Sequence, residues 1–136
     1  MKIGELAERA GAKPETVRYY EQEGLLPVPP RTSGNYRDYG PEHLARLAFI
    51  RHARGLGFEL ADVRALLTLA DVPDQDCSAV DAIASRHLAS VELKISQLHS
   101  LKAELQRMVK QCQGGHVSDC KIIDALSNHD NCGRHQ

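Results

Sequence analysis

The sequence predicts a mainly α-helical fold, and three observations carry that prediction. From Cys77 to Cys112 there is neither Pro nor Gly, and apolar residues there follow steps of four and three. Upstream, apolar residues recur at helical spacing between Pro openings and Gly stops. One short stretch, Arg31 to Tyr39, has turn formers in its middle and Tyr at alternating places.

Each element follows in order. Ile3, Leu6, Ala7 and Ala10 mark a first helix that ends at Gly11. Pro14 opens a second helix, which Gly24 stops. The tight link Gly11-Ala12-Lys13 makes the pair a helix-turn-helix candidate. Three prolines between Leu25 and Pro30 keep that segment extended or turning, and Arg31 to Tyr39 reads as a short β-hairpin or wing. Pro41 starts a third helix through Leu44, Leu47, Ala48 and Ile50 to Gly55-Leu56-Gly57. A fourth helix runs from Glu59 to Leu69, with Leu60, Val63, Leu66 and Leu67 inward, and Val72-Pro73-Asp74 breaks it. Ala84, Leu88, Val91, Ile95, Leu98, Leu105, Val109 and Cys112 then form a heptad stripe with one gap, at Lys102. That helix is roughly 50 Å long and too long to pack lengthwise on a small globule, so a second chain is its natural cover. Gln113-Gly114-Gly115 ends it, a loop runs to Cys120, and a short helix follows from Lys121 to Leu126.

Composition narrows the function classes. The 136 residues are 26% charged, with 18 acids against 17 bases. No apolar run approaches the ~20 residues of a bilayer span, and the start lacks a signal-peptide stretch, so a cytoplasmic protein is expected. Residues 1–57 hold nine bases and seven acids, a local excess of two. Placement says more than the sum, because Arg18 falls in the second helix and Arg31 and Arg37 in the wing. There is no Ser/His/Asp set, no phosphate-binding Gly loop and no Cys-x-x-Cys motif, so no enzyme is expected. All four cysteines, Cys77, Cys112, Cys120 and Cys132, lie in the second half. In a reducing compartment that pattern points to metal ligation or to inert buried thiols rather than to disulfides.

The motifs Ile3-Gly4-Glu5-Leu6-Ala7, Thr16-Val17-Arg18-Tyr19-Tyr20-Glu21, Gly24-Leu25-Leu26, Asn35-Tyr36-Arg37-Asp38-Tyr39 and Ile50-Arg51 through Leu56-Gly57-Phe58 resemble the MerR family of bacterial transcription regulators. The likeness continues through the long helix to Cys120-Lys121-Ile122-Ile123 and covers about residues 1–127. It implies a winged helix-turn-helix DNA-binding domain over 1–72 and a dimerisation helix over 76–111 that pairs antiparallel as a coiled coil. A metal-binding loop and terminal helix over 112–127 and a flexible tail over 128–136 complete the expected organisation. The implied activity is that of a homodimeric activator on double-stranded promoter DNA, which it distorts for RNA polymerase holoenzyme when effector binds. On this reading Thr16, Arg18 and Tyr19 face the major groove, and Arg31, Tyr36, Arg37 and Arg54 hold phosphates. Tyr20 and Tyr39 are expected in the core, and His43, His52, His87 and His99 as structural or surface groups.

Cysteine spacing adds its own argument. Thirty-five residues, five heptads, separate Cys77 from Cys112. On one helix they lie roughly 50 Å apart and cannot share an ion. With an antiparallel partner helix, Cys77 of one subunit meets Cys112 of the other. Cys112 and Cys120 bracket a loop whose two glycines permit a tight wrap, and a helix beginning at Cys120 favours a thiolate. Cys77, Cys112 and Cys120, with His116 as an optional fourth donor, form a soft-ligand set. Within the family, Cys rather than Ser at the Cys77 position implies a divalent thiophilic effector: zinc, cadmium, lead or mercury. The eight-residue step from Cys112 to Cys120 resembles the copper branch instead, and Cys112-Gln113 lacks the Cys-Cys pair of the zinc branch. A copper(I) or silver(I) regulator and a cytosolic metal-buffering protein are therefore the rival readings. His129, Cys132 and His135 either clip a second ion or form a solvated end.

Overall fold

The computed structural model describes residues 1–111 and 114–127. It contains six α-helices among those residues: α1 (Ile3–Ala10), α2 (Pro14–Gln22), α3 (Pro41–Gly55), α4 (Leu60–Ala70), α5 (Ser78–Gln111) and α6 (Lys121–Ser127). The chain divides into two compact units, Met1–Ala84 and Ser85–Gln136.

In the first unit, local signals set the helix ends. Gly11 adopts φ 70°, and its N–H and that of Ala12 close back onto Glu8 and Ala7 at 3.2 and 2.8 Å. That is a Schellman end, which only a residue comfortable in the left-handed region supplies cheaply. Gly24, at φ 75°, ends α2 in the same way, with Leu25 N–H on the Tyr20 carbonyl at 2.9 Å. Pro14 and Pro41 open α2 and α3, where a missing N–H costs nothing. At the start of α3 the His43 Nδ1 accepts the Gly40 N–H at 3.0 Å, so a buried His does what a Glu usually does in a capping box.

The inward faces of α1 to α4 meet in one core. Leu6, Val17, Leu25, Leu26, Leu47, Ile50 and Val63 are almost completely buried, with Tyr20 and Tyr39 beside them. Helix α1 packs on α2 and α3, and α3 on α4. Arg46 bridges the segment after α2 to the end of α4: its Nε donates to the Leu25 carbonyl at 2.8 Å and its Nη1 pairs with Asp71 at 3.3 Å.

The expected β-hairpin is smaller than the alternation suggests. Arg31 and Arg37 form a single antiparallel bridge, and no strand extends from it. Thr32 N–H reaches the Tyr36 carbonyl at 2.8 Å around a turn in which Asn35 takes φ 63°. Pro29 and Pro30 on one arm have no N–H to extend a ladder, which limits the pairing. The wing is a tight loop pinned at its base, with Asp38 N–H on the Pro30 carbonyl and Tyr39 N–H on the Met1 carbonyl.

Helix α5 has 34 residues, about 50 Å at the usual rise per residue. Ile83 is its one buried residue. In the second unit Leu88, Ile95, Leu98, Leu105 and Val109 are all exposed. A single 3₁₀ turn, Val117–Asp119, precedes α6.

Candidate functional site

Helix α2 and the wing enclose one wall each of an open cleft of about 590 Å³, and the start of the chain supplies a third side. The cleft collects four cations, Lys2, Arg18, Arg31 and Arg37, against one carboxylate, Glu21. Arg18 and Tyr19 are exposed on α2, while Thr16 is half-buried. Their neighbours Val17 and Tyr20 face the core, so the helix's periodicity alone turns Arg18 and Tyr19 outward. Tyr36 stands exposed on the wing, with the Lys2 ammonium 4.6 Å from its ring centroid, a cation–π contact. Arg31 Nη1 donates to the Asn35 carbonyl at 3.1 Å, which stiffens the turn and leaves the guanidinium exposed.

Arg37 is held differently. Its Nη1 donates to Glu21 Oε1 at 2.6 Å, and the Tyr39 hydroxyl donates to the same oxygen at 3.1 Å. The Glu21 side chain is 3% exposed and that of Arg37 30%. Burial pushes the Tyr39 phenol above its ordinary pKa; hydrogen bonding to Arg37 opposes that, and the charge of Glu21 reinforces it. Arg37 is in turn raised above its ordinary value, first by hydrogen bonding to Tyr39 and then, against burial, by the charge of Glu21. Sequence reasoning placed Arg37 on DNA and Tyr39 in the core but missed the carboxylate that joins them. It also missed Lys2, whose place beside the wing depends on chain-start contacts that no local pattern announces.

Arg54 stands apart from this cleft's lining. It is exposed at the end of α3 and donates from Nη1 to the Phe58 carbonyl at 2.8 Å, an end-of-helix contact that leaves charge on the surface.

Of the cysteines expected as ligands, the two described ones fall at helix boundaries. Cys77 is exposed and immediately precedes α5, its carbonyl accepting the Asp81 N–H at 2.9 Å. Cys120 is half-buried and immediately precedes α6, its carbonyl accepting the Asp124 N–H at 3.0 Å. His116 is exposed just before the 3₁₀ turn. Cys112 lies outside the described residues, as does the tail with His129, Cys132 and His135. Among the described residues no three His, Cys, Asp or Glu side chains gather as a ligand set. The donor chemistry nevertheless fits a soft ion, since cysteine sulfur is the soft donor that thiophilic ions prefer.

Comparison with known proteins accords with this geometry. Residues 1–69 match the MerR HTH family regulatory protein model, and residues 44–108 match "MerR, DNA binding". A ZntR homolog of Haemophilus influenzae, described as an HTH-type transcriptional regulator, is 43% identical over 90% of this chain and 91% of its own. A probable heavy metal-dependent transcriptional regulator of the same organism is 36% identical over 93% of this chain and 99% of its own. The crystal structure of the transcription regulator PbrR691 from Ralstonia metallidurans, in complex with lead(II), superposes with a TM-score of 0.83 at 41% identity. It covers 93% of this chain and 99% of that one. Among the described residues no helix is long and apolar enough to cross a membrane. With two family models and full-length relatives in agreement, the chain belongs to the MerR family of helix-turn-helix regulatory proteins, DNA-binding regulators rather than enzymes.

Proposed function

We propose that the chain is a homodimeric activator that answers a divalent thiophilic ion (zinc, cadmium, lead or mercury) by reshaping promoter DNA for RNA polymerase holoenzyme in the cytoplasm. The observation that carries the metal reading is Cys77 at the N-terminal boundary of α5, together with 41% identity to a regulator crystallised with lead(II). On this reading the seam of α5 is covered antiparallel by a second copy. Cys77 then joins Cys112 and Cys120 of the partner subunit, with His116 as a further donor at the loop. Thiolates supply the soft donors such ions prefer over oxygen ligands. Helix α2 brings Thr16, Arg18 and Tyr19 to the major groove, while Arg31, Tyr36 and Arg37 of the wing, and Arg54 at the end of α3 outside the cleft, take phosphates. The coupling requires that the loop and α6, tied by Cys120, hold the ion better in one arrangement of the helix pair than in the other.

Transcription from the chain's own promoter, measured across zinc, cadmium, lead, mercury, copper and silver salts, tests this reading. Induction by a divalent ion that is lost in Cys112→Ser and in Cys77→Ser, with promoter binding retained, is the expected result. Induction that survives Cys112→Ser refutes the site. Response to copper or silver alone that survives Cys77→Ser assigns the chain to monovalent ions. Failure to bind promoter DNA leaves a metal-buffering protein.

A further inference from the structure

The cleft holds one group that the DNA reading does not use. Glu21 sits among four cations with its side chain 3% exposed, and its two oxygens are treated unequally. Oε1 accepts both Arg37 Nη1 at 2.6 Å and the Tyr39 hydroxyl at 3.1 Å. Oε2 is buried and accepts nothing from the protein. A buried, half-satisfied carboxylate is costly, and its presence in a surface that meets polyanions is costlier still. Charge alone says that removing it should help DNA bind.

Geometry says the opposite. Arg37 is a wing residue, sixteen positions from Glu21, and this ion pair ties the wing to α2 from inside the cleft. The carboxylate holds Nη1 of a planar guanidinium that is still 30% exposed where Arg37 lines the cleft. Tyr39, buried in the core, anchors the carboxylate in turn. We infer that Glu21 is a positioning residue for DNA binding: held by Tyr39, it aims Arg37 at a backbone phosphate and sets the wing against α2.

This inference rests on the reading that Arg37 meets a phosphate, and the experiment separates the two. The affinity of the full-length protein for a mixed-sequence duplex is measured against salt concentration, for wild type, Glu21→Gln, Arg37→Gln and the double variant. Removing one cation from its phosphate lowers the slope of log affinity against log salt by about 0.9 per protomer. The expected result is that Arg37→Gln and Glu21→Gln each lower affinity and shallow the slope by that amount, and that the double variant binds no more weakly than either alone. A purely structural tether would lower the unfolding temperature of Glu21→Gln and leave the slope of the folded protein unchanged, which overturns the inference. Tighter binding by Glu21→Gln overturns it as well, because charge would then outweigh position. An unchanged slope in Arg37→Gln rules out the phosphate interaction itself and the inference with it. Should Glu21→Gln fail to fold, Glu21→Asp keeps the charge but withdraws it by one methylene. A shallower slope there supports positioning, and an unchanged slope refutes it.

Discussion

Replacing Leu98 with Asp probes whether a second copy covers α5. Along that helix Leu88, Ile95, Leu98, Leu105 and Val109 are between 49% and 65% exposed. Fully burying one such side chain stabilises by about 1.5–3 kcal/mol, so covering the exposed part of each is worth roughly 1–2 kcal/mol. Five positions on each of two chains bring roughly 10–20 kcal/mol. Association itself costs about 4–15 kcal/mol in lost freedom, so the margin is narrow and one side chain matters. Leu98→Asp occurs twice per dimer and removes roughly 2–4 kcal/mol of apolar burial. That alone weakens the dimer roughly 30- to 700-fold, before the cost of burying two carboxylates is added. Sedimentation velocity over a concentration series reads the shift directly, and circular dichroism checks that the helix persists. Leu93→Asp is the control. Leu93 is also exposed, at 60%, but lies five residues earlier, about 140° around the helix. The expected result is a monomer from Leu98→Asp and an intact dimer from Leu93→Asp. Equal effects of the two, or a wild type that sediments as a monomer, refute the seam.

Two further outcomes follow from the first unit. Burial raises the Tyr39 phenol above its ordinary range, so the folded chain keeps that proton after the unfolded chain has lost its own. The residue therefore adds no pH dependence below about pH 10, and stability falls as pH rises beyond it. Urea unfolding between about pH 8 and about pH 11 should show a steeper alkaline decline in wild type than in Tyr39→Phe; parallel curves refute the assignment. Gly11→Ala should cost about 1–2 kcal/mol, because φ 70° strains any residue with a Cβ even though no close neighbour blocks it. Thermal unfolding with no loss would show that the link between α1 and α2 relaxes freely.

How far these features are legible in the sequence depends on how local their causes are. The ends of α1 to α3 are legible because Pro14, Pro41, Gly11 and Gly24 act through their own backbone. The wing is legible as a turn but not as a single bridge, because the extent of pairing is decided by donors that Pro29 and Pro30 lack and by contacts made at its base. Soft-donor chemistry is legible in the residue type of the cysteines, while the proposed grouping of Cys77 with Cys112 would need a second chain, since five heptads separate them in the sequence. Glu21 is the least legible. A Glu on the polar side of a short helix reads as a solvated charge, and only residues sixteen and eighteen positions onward, Arg37 and Tyr39, bury it.

That last case explains why the net charge of −1 is a poor guide to what this surface meets. Several acids of the first unit are engaged within it. Glu5 pairs with Arg9, Glu21 with Arg37, and Asp71 with Arg46, while Asp38 accepts from the Met1 amino group at 3.0 Å. Each such pair cancels one acid against one base and leaves the formal sum unchanged, so what a polyanion meets is set by where the remaining bases stand. What the cleft presents is Lys2, Arg18 and Arg31, with the exposed part of Arg37 beside them. A chain with as many acids as bases can therefore carry a locally cationic face, and the acid buried behind that face decides where its cations point.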